Sequence, residues 1–294
     1  MFDRCMRTLA VVLIACLYFT PLSARQVAEP AHYSKEWTMR MEPFRIAGNL
    51  YYVGTYELAC YLITTPEGHF LLNTGAASSA TVIKENIEKL GFKIKDVRIL
   101  LTNQAHYDHV GALAAVKKMS GARFIANSKD AQVMVDGGQS DYLLGGPVSS
   151  FEPVKPDGLL NDRDSIRLGG TTVTALHHPG HTKGSTSYLV TVHDNERSYR
   201  VFLANMPSII IDKTFSETTT YPGMADDYVY TLTSMENAQF DLWVAAHASQ
   251  FDLHKKYKSG DAYNPRLFAD RTLYLAKLAD CKAAFEKKKA EENK

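Results

Sequence analysis

Thr102-Asn103-Gln104-Ala105-His106-Tyr107-Asp108-His109-Val110-Gly111 is the stretch on which the reading of this chain turns. The β-branched and leucine run Val97 to Leu101 leads into it as a strand. Gly111 leads out into the alanine- and leucine-rich Ala112 to Met119, which has helical character. Gln104, His106, Asp108 and His109 therefore sit on a strand-to-helix loop, where a turn points alternate side chains in different directions. An amide, two imidazoles and a carboxylate so close together suit two adjacent metal pockets. Neutral histidine nitrogen is a borderline ligand and aspartate brings the anion that offsets a dication, so the chemistry favours Zn²⁺. A polar surface loop can show the same residue types by chance. What decides between the two is whether further ligands arrive from elsewhere in the chain.

Upstream, Phe44 to Ala47 and Leu50 to Val53 read as strands around Gly48-Asn49, a two-residue hairpin turn. Cys60 to Thr64 and His69 to Asn73 form a second pair around Pro66-Glu67-Gly68, so the N-terminal third is antiparallel sheet. Val82, Ile83, Ile87 and Leu90 then recur at helical spacing over Ala80 to Leu90, and Gly91 stops that helix. Downstream, Arg123 to Ala126 is a short strand, and Ser128 is placed to cap a helix ending near Gly137-Gly138. Gly138 to Asn161 is turn-rich and reads as a loop beside the site. Ile166 to Leu168, Thr172 to Leu176, Ser187 to Val192 and Tyr199 to Ala204 are strands. Asp226 to Gln239 is a helix, Leu242 to Ala245 a strand and Arg266 to Lys288 a C-terminal helix. Strands followed by a helix, twice over, predict two similar halves. The charged tail, Glu286 to Lys294, reads as solvated.

At 294 residues and 45% hydrophobic composition the chain has room for one large α/β domain or two small ones. Its 33 basic and 32 acidic residues are spread evenly, which leaves no electrostatic footprint for nucleic acid or an anionic membrane and points to a small-molecule substrate. Residues 1–24 read as a secretion signal. Arg4 and Arg7 make a basic start, Leu9 to Tyr18 is apolar but too short to span a bilayer, and Pro21-Leu22-Ser23-Ala24 is a small-residue exit. Cleavage after Ala24 leaves a catalytic domain, 25–294, in the periplasm. Leu13-Ile14-Ala15-Cys16 also fits a lipobox, and a lipid tether at Cys16 is the competing reading. Loss of the signal leaves Cys60 and Cys281, which permit one disulfide. The apolar run Ala59 to Ile63 equally suits Cys60 as a buried free thiol.

Two further histidine stretches answer the question of ligands. His177-His178-Pro179-Gly180-His181-Thr182-Lys183-Gly184-Ser185 follows one strand, and Ala245-Ala246-His247-Ala248-Ser249 follows another. A lone histidine at a strand end is usually a packed or solvated residue. Three such sites in one chain are what a zinc centre gathers from distant segments.

The order Gln104-Ala105-His106-Tyr107-Asp108-His109, then His178-Pro179-Gly180-His181, then His247, resembles the metallo-β-lactamase superfamily, from about Tyr51 to the C-terminal helix. Within it the chain is similar to the third subclass of true metallo-β-lactamases, and to its GOB-type branch, where glutamine stands at the first ligand position. The resemblance implies an αβ/βα sandwich: two internal sheets flanked by helices, with the ligands on loops at one edge. It implies one zinc pocket from Gln104, His106 and His181 and a second from Asp108, His109 and His247, with Asp108 also orienting the attacking water. His178 and His254 match no ligand position and read as a structural and a surface residue. Ser208 matches a hydroxyl that binds the substrate carboxylate, and Lys183 or Lys213 would offer it a charge. The implied activity is zinc-dependent opening of the β-lactam ring in penicillins, cephalosporins and carbapenems, by a monomer conferring antibiotic resistance. Another zinc hydrolase of this fold, a lactonase or thioesterase, is the alternative, and a metal-binding scaffold without catalysis is a third reading.

Three departures qualify the match. Phe202-Leu203-Ala204-Asn205-Met206-Pro207-Ser208 lacks the bridging aspartate of many superfamily hydrolases, which argues against a glyoxalase II-like enzyme. It also lacks the cysteine ligand of the first lactamase subclass. Asn73 stands where the superfamily usually has aspartate, so the site loop is expected to be held less firmly. Neither Ser185 nor Ser249 lies in a Gly-x-Ser-x-Gly elbow, so a serine nucleophile is not indicated. A carboxamide is a weaker zinc donor than imidazole or carboxylate, so of one or two Zn²⁺ per chain the first is expected in the aspartate pocket.

Overall fold

Alternation of inward and outward residues builds two sheets in this computed structural model, which describes residues 27–195 and 197–293. The expected secretion signal, its cleavage site and Cys16 lie outside the described residues. Strands β1 (Phe44–Ala47), β2 (Leu50–Tyr52), β3 (Tyr61–Thr65) and β4 (Gly68–Leu72) form an antiparallel meander. β5 (Val97–Leu101), β6 (Arg123–Asn127) and β7 (Gly158–Leu160) extend it in parallel, in the spatial order β1 to β7. Parallel neighbours need crossovers. Helix α1 (Ser79–Lys89) joins β4 to β5, α2 (Tyr107–Val110) and α3 (Leu113–Ser120) join β5 to β6, and α4 (Ala131–Asp136) leads from β6 towards β7. The second sheet repeats the plan. β8 (Ser165–Leu168), β9 (Thr171–His177), β10 (Thr186–His193) and β11 (Ser198–Ala204) meander, and β12 (Leu242–Ala245) joins β11 in parallel after α5 (Met224–Glu236). The short α6 (Leu253–Lys256) and the 20-residue α7 (Arg271–Ala290) follow.

One apolar cluster unites Tyr61, Ile63, Phe70, Leu72 and Leu101 of the first sheet with Val173, Tyr188, Val190 and Leu203 of the second. The intervening Cys60, Leu62, Leu71 and Leu100 turn the other way and pack with Ile83 and Ile87 of α1 and Val116 of α3. On the far side, Trp243 of β12 meets Tyr274 of α7 with ring centroids 5.2 Å apart. The result is the expected sandwich of two sheets between helices. Cys60 and Cys281 are both free thiols. They cannot pair because Cys60 belongs to the cluster under α1 and α3, whereas Cys281 on α7 packs against the other one. No helix among the described residues is long and apolar enough to cross a membrane.

Four local expectations are corrected. Ser128 caps nothing; its hydroxyl donates to Asn161 Oδ1 at 2.9 Å, and the residue at the head of α4 is Asp130. The turn-rich stretch contains β7, whose three residues pair with β6 and were too few to show a period. The C-terminal helix starts at Arg271, where Asp270 accepts from the Leu273 N–H at 2.8 Å; the residues before it form a separate 3₁₀ turn, Pro265–Phe268. The charged tail is docked, not free: Phe285 is buried, Lys288 Nζ donates to the Asp212 carbonyl at 3.0 Å, and Glu292 accepts from the Ser216 N–H at 3.1 Å.

Candidate metal centre

The ends of three strands deliver the site. β5 runs out into Thr102 to His106, and α2, a single helical turn in place of the expected loop, then carries Asp108 and His109. Gly111 is required where α2 meets α3: a Cβ there would lie 2.6 Å from the Ala77 nitrogen and 2.8 Å from the Tyr107 carbonyl oxygen. The β9–β10 loop supplies His181, and the end of β12 supplies His247. Asp108 Oδ2 lies 3.1 Å from His247 Nε2 and 3.3 Å from His109 Nε2. The ligand atoms of these three residues all fall within 4.8 Å of one another. Beside them the rings of His106 and His181 are 5.0 Å apart, and Gln104 Nε2 is 3.4 Å from His106 Nδ1. The six residues singled out in the sequence are thus brought together as two neighbouring groups of three.

Anchoring one nitrogen of an imidazole decides which nitrogen it presents. His181 donates from Nδ1 to the Ser208 carbonyl at 2.8 Å, which leaves Nε2 for the site. His247 Nδ1 lies 3.5 Å from Glu57 Oε1, and Glu57 is itself held by the backbone N–H and hydroxyl of Ser249. His106 Nε2 lies 3.3 Å from Asp141 Oδ2, leaving Nδ1 beside Gln104. Sequence reasoning passed over both Glu57 and Asp141, since each stands in irregular chain with no periodicity around it. The third unforeseen carboxylate is Asp130. It accepts from the Ala105 N–H at 3.0 Å, the Gly184 N–H at 2.7 Å and the Thr182 hydroxyl at 2.8 Å, tying the Gln104–His106 segment to the His181 loop. That employment is why it does not cap α4.

Asn73 corrects the expectation of a loosely held loop. Its amide donates to Asn103 Oδ1 at 2.7 Å and to the Ala59 carbonyl at 3.3 Å, while Oδ1 accepts from the Asn103 N–H at 2.9 Å and the Thr102 hydroxyl at 3.3 Å. An ionised carboxylate accepts but cannot donate, so here the neutral amide is the better clamp. Its φ of 62° is the left-handed conformation that asparagine tolerates.

Electrostatics fit a dication. Burial disfavours the Asp108 anion, yet His109 and His247 outweigh it and hold the carboxyl well below its usual range. Burial likewise lowers His247, but Asp108 and Glu57 overcome it and raise the imidazole to about 9. Burial pulls His181 down to about 3, helped by His106. His109 Nε2 is buried without a hydrogen-bond partner, while His106 Nε2, also without one, faces the Asp141 carboxylate at 3.3 Å. An orphaned ring nitrogen beside the buried Asp108 anion is what a metal ion would satisfy, and imidazole with one carboxylate is zinc's donor set.

A cavity of about 390 Å³ opens beside this cluster, lined by His106, Asp108 and Asp141 together with His32, Trp37 and Val148. Trp37 stacks on Tyr33 at 5.6 Å and lies 6.4 Å from the His247 ring, so the segment before β1 forms a wall of the site. Ser208 is half-buried, its hydroxyl 3.1 Å from His181 Nδ1. Lys183 lies over the Tyr221 ring at 5.5 Å, and Lys213 lines a separate cleft with Tyr142 and Thr218. His178 is buried, bonded through Nδ1 to Ser187 and through Nε2 to Ser234, and is structural as expected. His254 is more than a surface residue: it stacks on Tyr56 at 3.6 Å and bonds the Tyr56 carbonyl at 2.8 Å.

Comparison with known proteins agrees with this geometry. The Metallo-beta-lactamase superfamily profile matches residues 57–193. The crystal structure of the metallo-beta-lactamase GOB-18 from Elizabethkingia meningoseptica is 54% identical, covers 92% of this chain and 100% of its own, and superposes with a TM-score of 0.90. The class B3 di-zinc metallo-beta-lactamase LRA-12 from an Alaskan soil metagenome is 56% identical over 89% of this chain and 99% of its own, with a TM-score of 0.88. Among curated proteins, a hydroxyacylglutathione hydrolase from Rhodopseudomonas palustris is 29% identical over 47% of this chain and 44% of its own length. The chain spans less than half the length of the first curated relatives it matches.

Proposed function

From its place in the metallo-β-lactamase superfamily, to which this chain belongs, we propose that the protein is a zinc-dependent hydrolase that opens the β-lactam ring amide of penicillins, cephalosporins and carbapenems. The observation that carries this reading is the full-length likeness to GOB-18, at 54% identity, combined with the convergence of the six donor residues. Gln104, His106 and His181 would hold one ion and Asp108, His109 and His247 the other. Zn²⁺ supplies Lewis acidity, making water acidic near neutral pH and stabilising charge on a departing nitrogen. Asp108 accepts a hydrogen bond from the attacking water and aims it at the carbonyl carbon. The water oxygen bonds to that carbon, the C–N bond breaks, and the ring nitrogen ends with the proton the water gave up. Ser208 offers its hydroxyl to the substrate carboxylate, and Trp37 and Val148 line the cavity that His106 and Asp108 also line.

One ion in the aspartate pocket is sufficient in this reading, with the glutamine pocket filling second. Residues 1–24 direct export to the periplasm, and 25–294 act as a monomeric catalytic domain; the basic start, apolar run and small-residue exit support the first statement. A thioesterase of the same fold is the second reading, favoured by the partial match to hydroxyacylglutathione hydrolases. Against it stands the run Phe202 to Ser208, which holds no carboxylate to bridge two ions; its Asn205 is neutral, buried and donates to the Asn103 carbonyl at 3.3 Å. The test is a hydrolysis assay on a β-lactam panel with zinc titrated, beside a lactone and a glutathione thioester. β-Lactam turnover abolished by chelator and restored by zinc is expected. Turnover of the lactone or thioester alone would replace this reading with the second.

A further inference from the structure

We propose that Asp141 gives the Gln104, His106, His181 pocket the negative charge its own ligands lack, by pairing with the Nε2 side of His106 and so presenting Nδ1 inward. The inference rests on the assignment of that pocket and adds a positioning residue to it. Asp141 belongs to the turn-rich stretch after α4. Its side chain is 4% exposed and that of His106 is 5% exposed. Oδ1 accepts from the Leu143 N–H at 2.9 Å and the Leu144 N–H at 2.7 Å, which locks the carboxylate, and Oδ2 then lies in ion-pair contact with His106 Nε2 at 3.3 Å.

The turn alone does not explain a buried charge. Asparagine or serine also accepts from the N–H groups two and three residues on, and neither carries the desolvation cost of a carboxylate. No lysine or arginine among the described residues pairs with Asp141; its one ion-pair partner is His106. The neighbouring pocket shows the same device, with Glu57 behind His247. There the anion is an addition to Asp108. Here no proposed ligand is anionic, because Gln104 and the two imidazoles are neutral, and Asp141 is the carboxylate in ion-pair contact with one of them. A carboxylate behind a metal-bound imidazole raises its basicity and fixes its orientation, an effect usually worth about 10 to 100-fold in metal affinity.

Asp141→Asn keeps an acceptor for the two backbone N–H groups and removes the charge. Asp141→Ser keeps a turn-forming acceptor but is too short to reach His106. Both are compared with the parent chain in the wild type and in a Gln104→His background, which keeps the second equivalent measurable. Zinc affinities are read by chelator competition, and the His106 ring N–H by nitrogen-15 NMR of the zinc-loaded protein. The second equivalent should weaken by about 10 to 100-fold in both variants, with the first unchanged and the His106 Nε2–H resonance moved upfield. An unchanged second equivalent, or equal losses in both equivalents, overturns the inference alone. Absence of any zinc binding by the parent chain overturns the metal reading and this inference with it.

Discussion

In the proposed assignment the two pockets draw on the same number of protein ligands and two imidazoles each, but they put the anion in different places. Around Asp108 it stands at the centre, 3.1 and 3.3 Å from the nearest nitrogens of His247 and His109. Around Gln104 the centre is a neutral amide, and the Asp141 carboxylate lies behind His106. A dication gains more from an anion it touches than from one acting through an imidazole, since Coulomb attraction falls with distance. On the proposed order of filling, rank between two like-looking sites is set by where one charge stands, not by how many ligands are counted.

The largest break in that comparison is Asp108→Ala. It removes the central anion and leaves His247 with Glu57 alone. The aspartate pocket should lose its metal, and activity should fall by at least about 10 to 100-fold, the loss seen even for groups behind the ligands. Metal analysis and β-lactam turnover check it; near-normal turnover would remove Asp108 from the centre of the site.

Order of filling is the next test. After dialysis against limiting zinc, the first equivalent should survive in His106→Ala and vanish in His247→Ala. The opposite pattern would mean that the glutamine pocket fills first and that the central anion does not decide. A smaller effect is expected from Gln104→His, which replaces the weak donor with a third imidazole. Bound zinc should rise towards two per chain while turnover changes little. A variant that stays at the wild-type stoichiometry would show that ligand strength at position 104 is not what limits the pocket.

How much of this was legible beforehand follows the same line. The strands that lead to the site alternate or run apolar, so β1 to β6 and β8 to β12 were readable, and the ligands were readable because imidazoles at strand ends are chemically conspicuous. Glu57, Asp130 and Asp141 were not. Each is one acidic residue in irregular chain, and its role exists only once distant segments meet: Ser249 and His247 around Glu57, Ala105 and Gly184 around Asp130, His106 around Asp141. Asn73 misled for a related reason. Its type suggested a weaker partner, and only the arrangement of Ala59, Thr102 and Asn103 shows that a donor was needed there. Ser128 had the residue type of a cap, but its hydroxyl had Asn161 to bond.

The smallest effect expected belongs to His178, at the root of the loop that carries His181 into the glutamine pocket. Burial drives the His178 imidazole down to about 3, and it is held neutral between Ser187 and Ser234. In the unfolded chain the same group titrates near its ordinary value of about 6.5. Between those two values the unfolded state takes up a proton that the folded state refuses, so stability is intact above pH 6.5 and is lost as pH falls through that window. One such proton contributes a slope of at most about 1.4 kcal/mol per pH unit. His178→Gln has no ring to protonate. Against zinc-free wild type, it should be less stable at pH 7, having lost part of the serine bridge, yet lose less with each step of acidification. Urea midpoints measured from pH 7 to 5 on both proteins provide the comparison, since every other titrating group is shared. Parallel slopes would show that His178 is not held neutral, and that the root of this loop is open enough to accept a charge.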